Sequence, residues 1–343
     1  MAWITAGPGV RLPTVIHAMA LAPVSPAAFT AWPSAELVAY EPLFRNPDWG
    51  TVAGRYWPAP LEPGEARLFT TEPGVQVLGR CHRLRPDAPV MLLVHGLEGS
   101  CDSTYMRWMA RAALQAGFGV VRLNVRTCGG TEHLAPTLYH SGLTTDLRSL
   151  VEQLGPRPVC LVGFSMGGNQ ALKLAGEWGA GVPAHLKTVC AISAPIDLAA
   201  CARRLGEPRN WIYEQHFLRR LRSRLRRKAR LQPGRFSTAP LARVRTIIDF
   251  DHLVTAPSFG FRDAWDYYQN SSALRFLAQV RVPALLIQAK DDPFIPYQCY
   301  RLPDNPALRL LDPDHGGHVA FLARRRPRFW AGEQAALFAK AYV

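Results

Sequence analysis

The sequence predicts an α/β fold with a mostly parallel β-sheet, helices on both faces of the sheet and a helical insertion late in the chain. Continuous apolar runs of strand length recur along the chain, as in strands that are buried on both faces. Amphipathic helical stretches alternate with these runs, which indicates parallel βαβ units. The alternation stops between about 196 and 279, where helix-like stretches are crowded with arginine. We interpret this segment as a helical cap inserted between two strands.

The composition is that of a globular protein. The chain has 343 residues, of which 48% are hydrophobic and 19% charged, so a wholly disordered chain is excluded. At roughly 150 residues per domain, this length fits two domains or one α/β domain with a large insertion. Residues 1–40 are rich in Ala and Pro without a sustained period, so we interpret them as an irregular arm before an α/β domain at 41–343.

Cysteine usage and hydropathy predict the compartment. The seven cysteines are widely spaced and form no C-x-x-C pair, which favours a reducing environment. No uninterrupted apolar run reaches the roughly 18 residues of a spanning helix, because prolines interrupt the best candidate near the N-terminus. Residues 15–22 have only Arg11 as a flanking charge and match a signal peptide poorly. We therefore expect a cytoplasmic protein.

The strands are predicted in chain order, beginning with a hairpin. Short β-type runs at residues 66–70 and 75–80 flank Pro73-Gly74, which is typical of an antiparallel turn. Apolar runs predict further buried strands at residues 90–95, 120–125, 159–164, 186–193, 284–289 and 308–311.

The helices are predicted from apolar spacing and end signals. Ser103 can cap a helix that stops at Gly117, and residues 329–341 resemble a closing helix. Another helix is expected between Thr144 or Thr145 as N-cap and Gly155 as the C′ residue. Its spacing of i, i+3, i+4 and i+7 is formed by Leu147, Leu150, Val151 and Leu154.

A G-x-S-x-G motif, Gly163-Phe164-Ser165-Met166-Gly167, ends the strand predicted at 159–164. Small residues are needed there because the chain must turn sharply from strand to helix and expose the serine Oγ. Ser165 is therefore the candidate nucleophile. A glycine-rich turn with an idle serine is the alternative.

A second glycine-containing loop, His95-Gly96-Leu97-Glu98-Gly99, follows the strand predicted at 90–95. Such a loop supplies one backbone N–H of an oxyanion hole, and the residue after the nucleophile supplies the other. We assign these roles to Leu97 and Met166. An ordinary glycine turn is the alternative.

A candidate carboxylate follows the strand predicted at 284–289. Asp292 is preferred because its spacing to Ile295-Pro296 matches the usual D-x-x-I/V-P loop, and Asp291 is the reserve. A carboxylate at the C-terminal end of a strand can hold an imidazole in one tautomer and stabilise its cation. A simple turn opened by Asp-Asp-Pro is the alternative.

The candidate base lies after the last predicted strand. His318 is preferred because it begins an apolar segment that can fix its loop against the core, and His315 is second. An imidazole, with an ordinary pKa near 6.5, can take the serine proton and return it to the leaving group. The alternative is a metal site formed by Asp312, Asp314, His315 and His318.

The candidates occur in the order Ser165, Asp292, His318, which is the order of the α/β-hydrolase fold and not that of chymotrypsin or subtilisin. This joint pattern is more specific than each motif by itself. No P-loop lysine, dinucleotide-binding G-x-G-x-x-G or zinc-binding H-E-x-x-H motif occurs in the sequence. We therefore expect no cofactor and no metal.

Beyond the triad motifs, the chain resembles the YheT-type branch of the α/β-hydrolases, to which the mammalian ABHD lipases are related. The similar stretches are N-V-R-T-C-G-G at 124–130, Y-H-S-G-L-T-T-D at 139–146 and the segment from Ile248-Asp249-Phe250-Asp251 to Tyr267-Tyr268. The resemblance implies hydrolysis of carboxylic esters, with some relatives acting on acylglycerols or phospholipids. The chain departs from the branch at Asp48, before Thr51, where relatives often have a histidine.

The predicted insertion contains a basic amphipathic helix. Eight cations occur within twelve residues, whereas Leu218, Leu221 and Leu225 fall on one helical face. The cations are Arg219, Arg220, Arg222, Arg224, Arg226, Arg227, Lys228 and Arg230. We expect most of them to meet solvent or an anionic membrane surface, because a packed face could not neutralise so many. Nucleic acid is not expected, since aromatic residues do not interleave with the cations.

Together, these patterns predict a serine hydrolase that cleaves acyl esters of small molecules or lipids through an acyl-enzyme. Two alternatives stay open. An acyltransferase would use the same three side chains and pass the acyl group to an alcohol. A basic protein that binds a lipid surface without turnover would need no triad at all.

Overall fold

The computed structural model describes residues 39–343, so nearly all of the arm interpreted at 1–40 lies outside the described residues. The predicted α/β fold is confirmed: eight strands form one sheet in the order β1-β2-β4-β3-β5-β6-β7-β8. The strands are β1 (Glu65–Glu72), β2 (Val75–His82), β3 (Val90–Val94), β4 (Gly119–Leu123), β5 (Val159–Phe164), β6 (Leu186–Ile192), β7 (Ala284–Ile287) and β8 (Leu308–Leu311).

The sheet is antiparallel at one edge and parallel elsewhere. The β1-β2 hairpin turns at Pro73-Gly74, and β2 pairs antiparallel with β4. From β4 to β8 every pair is parallel. In β3, Met91 and Leu93 pack into one apolar cluster, whereas Leu92 and Val94 pack into the other. The apolar run is continuous because helices cover both faces of this strand.

The helices lie mostly where the apolar spacing predicts them. They are α1 (Pro47–Tyr56), α2 (Thr104–Gln115), α3 (Thr145–Leu154), α4 (Met166–Trp178), α5 (Leu198–Leu205), α6 (Trp211–Leu231), α7 (Ile247–Phe250), α8 (Ala256–Ser258), α9 (Ala264–Ser271) and α10 (Trp330–Lys340). No helix within residues 39–343 combines the length and the apolar character that crossing a bilayer requires.

Three helix-end predictions differ in detail from the structure. Ser103 and Thr144 occupy the N-cap positions of α2 and α3, but neither side chain caps its helix. The Thr144 hydroxyl instead donates to Glu177 at 2.6 Å, so a tertiary partner replaces the local one. Gly155 was predicted as the C′ residue of α3 but is its C-cap, with φ −63° instead of the left-handed conformation common at C′.

Helices α5 to α9 fill the segment between β6 and β7. The predicted apolar face of α6 is confirmed, since Leu218, Leu221 and Leu225 are buried in the main core. Helix α6 therefore packs on the sheet domain through the face that the sequence indicated.

Most of the eight α6 cations keep exposed surface, as expected, but two on the inner side of the helix are buried. Arg224 and Lys228 are only 4% and 0% exposed. Arg224 Nη2 lies 2.6 Å from Glu98 Oε2, and Lys228 donates to the main-chain oxygen of Glu132 at 3.0 Å. Arg227 pairs with the Glu132 carboxylate at 2.6 Å. Acids and carbonyls from loops outside the helix neutralise these cations, which no pattern within the helix could reveal.

Candidate functional site

Ser165 lies at the sharp turn between β5 and α4. Its backbone has φ 50° and ψ −122°, a conformation that costs energy for a residue with a side chain. The turn needs glycine on both sides: a Cβ on Gly163 would lie 2.1 Å from the Gly167 oxygen, and one on Gly167 would lie 2.5 Å from the Val94 oxygen. Close packing of strand, turn and helix therefore explains the G-x-S-x-G spacing.

The loop after β3 lies against this serine. A Cβ on Gly96 would be 2.9 Å from Ser165 Cβ, so only glycine allows this approach. Leu97 and Met166, the residues expected to form an oxyanion hole, line the same cavity as Ser165. Met166 is the first residue of α4, where N–H groups have no partner within the helix and carry the positive end of its dipole.

His95 and Tyr105 hold the glycine loop in place. His95 Nε2 accepts from the Val125 N–H at 3.0 Å, so Nδ1 carries the proton and donates to the Gly96 oxygen at 2.7 Å. Burial lowers the pKa of His95 to about 4, which keeps this imidazole neutral. The Tyr105 hydroxyl accepts from the Gly96 N–H at 3.0 Å. Both side chains thus position the loop.

Asp292 and His318 form a buried pair. Asp292 Oδ2 lies 2.8 Å from His318 Nδ1, which leaves Nε2 as the other ring nitrogen for a partner. Asp292 Oδ1 accepts the N–H groups of Phe294 and Ile295 at 2.9 and 3.2 Å. Gln288 Nε2 also lies 3.3 Å from Oδ2, so four groups fix the carboxylate and its orientation toward the imidazole.

The reserve candidates form a second, separate pair. His315 Nδ1 lies 3.2 Å from Asp291 Oδ2, and Asp291 Oδ1 accepts the Gly317 N–H at 3.0 Å. Neither side chain lines the cavity that contains Ser165. The structure thus brings the preferred acid to the preferred histidine and the reserve acid to the reserve histidine.

Residues from outside the motifs position His318. Its N–H donates to the Thr51 hydroxyl at 2.9 Å, and Thr51 in turn donates to the Pro47 oxygen at 2.7 Å. The Val319 N–H donates to the Ser193 hydroxyl at 3.0 Å. Sequence reasoning noted Thr51 only as part of a departure from related chains and gave it no role.

A cavity of about 120 Å³ connects Ser165 and His318 to the helices of the insertion. Its wall is mostly apolar, with Leu, Ile, Phe and Met side chains from both the sheet domain and the insertion. A wider cleft of about 590 Å³ also contains Ser165 and His318 and opens between α1, the loop after β3 and the start of α6. An extended apolar group could therefore reach Ser165 from either space.

Two charged side chains of the insertion, Arg224 and Asp251, line the cavity. The Arg224 guanidinium lies 4.5 Å from the Tyr139 ring centre and pairs with Glu98. Arg224 belongs to the cations that were expected to meet solvent or a membrane, and Asp251 had no predicted role beyond the family resemblance. Only the folded chain shows that both side chains line the same cavity as Ser165.

The side chains considered for a metal site point to different partners. Asp314 pairs with Lys290, and Asp312 accepts from the Tyr297 hydroxyl. His315 and His318 pair with Asp291 and Asp292. In residues 39–343, no cluster of three or more His, Cys, Asp or Glu side chains could hold a metal ion.

The family model of the alpha/beta hydrolase fold matches residues 89–324, more than half of the chain. This chain belongs to the α/β-hydrolase family. The Escherichia coli protein named "Putative esterase YheT" is 35% identical over 252 residues, which are 71% of this chain and 74% of that protein.

Two eukaryotic relatives match a smaller share of their own length. Mouse phospholipase ABHD3 is 29% identical over 70% of this hydrolase and 60% of the mouse protein. A monoacylglycerol lipase of Saccharomyces cerevisiae is 28% identical over 74% of this hydrolase and 59% of the yeast protein. The chain thus spans about three fifths of these two relatives.

A solved structure supports the same fold. An esterase of Pyrococcus furiosus superposes with a TM-score of 0.53 and 17% identity, covering 81% of this hydrolase and 92% of the esterase chain. At this identity the likeness concerns the fold alone.

Proposed function

We propose that this hydrolase cleaves carboxylic esters with Ser165 as nucleophile, His318 as base and acid, and Asp292 as the carboxylate that orients His318. The observation that carries the proposal is the shared cavity: Ser165 at its strained turn and His318, paired with Asp292 at 2.8 Å, line the same space. The names of the relatives, which include esterase, phospholipase and monoacylglycerol lipase, support ester substrates.

In the proposed acylation step, Ser165 Oγ bonds to the ester carbonyl carbon while its proton passes to His318 Nε2. The carbonyl oxygen becomes an oxyanion, which the N–H groups of Leu97 and Met166 stabilise. Collapse of this intermediate breaks the bond to the alcohol oxygen, which takes the proton from the imidazolium and leaves. An acyl-enzyme on Ser165 remains.

Deacylation repeats these steps with water. His318 removes a proton from water, the hydroxide oxygen bonds to the acyl carbon, and the Ser165 oxygen leaves with the proton that His318 returns. The products are a carboxylic acid and free enzyme. An acyltransferase would differ only in using an alcohol instead of water, so turnover with and without added alcohol separates the two reactions.

Labelling by a fluorophosphonate probe, which reacts with activated serines, tests the nucleophile directly. We expect the wild type to be labelled and Ser165→Ala to lose both labelling and several orders of magnitude in ester turnover, because only binding and the oxyanion hole remain. Ser141→Ala is the matched control, since Ser141 lines the same cavity but lies outside the turn. Labelling of folded Ser165→Ala would contradict the proposal.

We propose lipid esters as the substrate class, because an apolar rim borders the cleft. Trp49, Val52 and Tyr56 follow the i, i+3, i+7 spacing of one α1 face, and Trp211 and Ile212 begin α6. All five are exposed, Tyr56 to 75% and Ile212 to 71%. Contiguous exposed apolar patches mark sites of interaction with proteins, membranes or ligands.

Cations accompany this apolar rim. His216 lines the cleft. Burial lowers the pKa of His216, and the nearby cations Arg55, Arg220 and Arg219 lower it further. Apolar side chains beside cations suit contact with an anionic lipid surface. We therefore propose that the rim and the exposed α6 cations Arg219 and Arg220 contact the membrane. This surface replaces the whole segment Arg219–Arg230 as the proposed contact. Vesicle binding without any turnover would favour the non-catalytic alternative.

A further inference from the structure

Asp251 is a carboxylate within the apolar cavity of the insertion. It begins a single π-helical turn, Asp251–Thr255, between α7 and α8. It lines the same cavity as Ser165 and keeps some accessible surface. Burial is nevertheless the main cause of its raised pKa. An ionisable group that lies deep in the protein and still faces a cavity is a candidate for ligand contact.

Two hydroxyl groups hold this carboxylate. Thr255 donates to Oδ1 and Tyr268 donates to Oδ2, both at 2.7 Å. In residues 39–343, no cation forms an ion pair with Asp251 to lower the pKa of its carboxyl group. Each carboxylate oxygen can accept about two hydrogen bonds, so acceptor capacity is left for a further donor.

Burial raises the pKa of Asp251 to about 6, so the side chain is mostly ionised at neutral pH. An aliphatic ligand that filled the cavity would remove its remaining solvent and give no donor in return, which is unfavourable. A ligand with a hydrogen-bond donor would replace that solvent. The cavity therefore discriminates between these two kinds of ligand at the position of this carboxylate.

We propose that Asp251 is a specificity residue that accepts a hydrogen bond from a hydroxyl or ammonium group of the ester substrate. The inference rests on the proposed esterase activity and deepens it. The substrate class becomes esters that carry a donor group besides the acyl chain, as hydroxylated or amino-bearing lipids do.

Other titratable groups near Asp251 or in its cavity have to be separated from it. They are Tyr267 and Tyr268 of α9, Glu214 and Arg224 of α6, His140 before α3, and His318. Burial raises the pKa values of both tyrosines and lowers that of His140 to about 3, so these groups do not titrate near neutral pH. Glu214 has a raised pKa but does not line the cavity.

Two substrates that differ only in the alcohol separate Asp251 from His318. The glycerol monoester and the propyl ester of one medium-chain acid use the same triad. The ratio of kcat/KM for the glycerol monoester to that for the propyl ester therefore cancels any pH dependence that the two reactions share. We expect this ratio to rise with pH through about 6 as Asp251 ionises. The 2-aminoethyl ester of the same acid, whose ammonium group carries N–H donors, is a third arm that tests an ammonium group in place of a hydroxyl.

Asp251→Asn keeps the shape and removes the charge. We expect the ratio to fall about 10- to 100-fold at pH 8, the usual effect of a hydrogen bond to a charged group, and to lose its pH dependence. Whichever of the glycerol and 2-aminoethyl esters shows the larger loss identifies the donor. An unchanged ratio in this variant would overturn the inference.

Tyr268→Phe keeps the proposal testable if Asp251→Asn does not fold. Loss of the Tyr268 hydrogen bond, which lowers the pKa of Asp251, should move the midpoint of the ratio to higher pH and preserve selectivity above it. A ratio that is independent of pH in the wild type would overturn the inference alone. Absence of turnover of every ester by folded wild type would overturn the proposed function and the inference with it.

Discussion

Replacing Asp292 with Asn tests which carboxylate orients the candidate base. One carboxylate oxygen lies 2.8 Å from His318 Nδ1, and the other accepts from the N–H groups of Phe294 and Ile295 at 2.9 and 3.2 Å. An amide can accept on only one of these sides, because its second polar atom is a donor. The variant therefore has to choose between the backbone and the imidazole.

The backbone is expected to keep the amide oxygen. The opposite orientation would leave two buried N–H groups unsatisfied, at about 1–3 kcal/mol each, whereas the imidazole can change tautomer and accept from the amide NH₂. Gln288 donates to Asp292 Oδ2 at 3.3 Å, and an amide NH₂ at that position cannot accept this hydrogen bond. Its loss reduces the preference for this orientation by about 1 kcal/mol. The balance, about 1–5 kcal/mol, favours His318 with its proton on Nε2, which cannot accept the proton of Ser165.

We expect kcat to fall by about 10³- to 10⁴-fold, because about 1.4 kcal/mol corresponds to a tenfold change and the imidazolium also loses its counter-charge. KM should change little, since Asp292 does not line the cavity. Asp291→Asn is the matched control: its partner is His315, at 3.2 Å, and we expect less than a tenfold loss.

Steady-state kinetics with a soluble short-chain ester measure both variants, and thermal unfolding checks that each one folds. Equal losses in the two variants would refute the assigned pairing. A larger loss in Asp291→Asn would transfer the orienting role to that side chain.

Two further predictions concern the insertion and the rim. Arg224→Gln should lower the free energy of unfolding by about 3–5 kcal/mol in urea titrations, because its loss leaves a buried carboxylate unpaired, whereas the exposed Arg226→Gln should change it by less than about 0.5 kcal/mol. Equal effects would show that the Arg224 ion pair does not stabilise the fold. The double variant Tyr56→Ser, Ile212→Ser should lower partition onto anionic vesicles at least about tenfold and keep soluble-ester turnover, unlike Leu337→Ser, an exposed residue outside the cleft. Undiminished partition of the double variant would remove the rim as the contact surface.

Most of the sheet could be predicted from the sequence because its determinants are local. Strands buried on both faces require apolar residues at every position, and the run at Val90–Val94 shows this directly. The turn at Ser165 was equally predictable, because close contacts at Gly163 and Gly167 exclude any side chain. The Gly163 contact is with the Gly167 oxygen within the same turn, so this steric requirement leaves a readable local pattern, whereas Gly167 itself packs against Val94 of another strand.

The choice between adjacent candidates needed the tertiary structure. Asp291 and Asp292 follow one strand, and His315 and His318 follow another, so spacing alone gave only a preference. The relative placement of two loops decides that Asp292 contacts His318 and that Asp291 contacts His315. Such pairing depends on how the loops after β7 and β8 lie against each other, which no local pattern encodes.

The sequence by itself determined the α/β fold, the position of the strained serine and the apolar face of α6, since each follows from the size or spacing of neighbouring side chains. Only the tertiary structure decided the fate of the charges in the insertion. Arg224 is buried because Glu98, from the loop after β3, neutralises it, and Asp251 faces the cavity because α7 and α9 place it there. Burial of a charge depends on partners that the fold supplies, and these partners are distant in sequence.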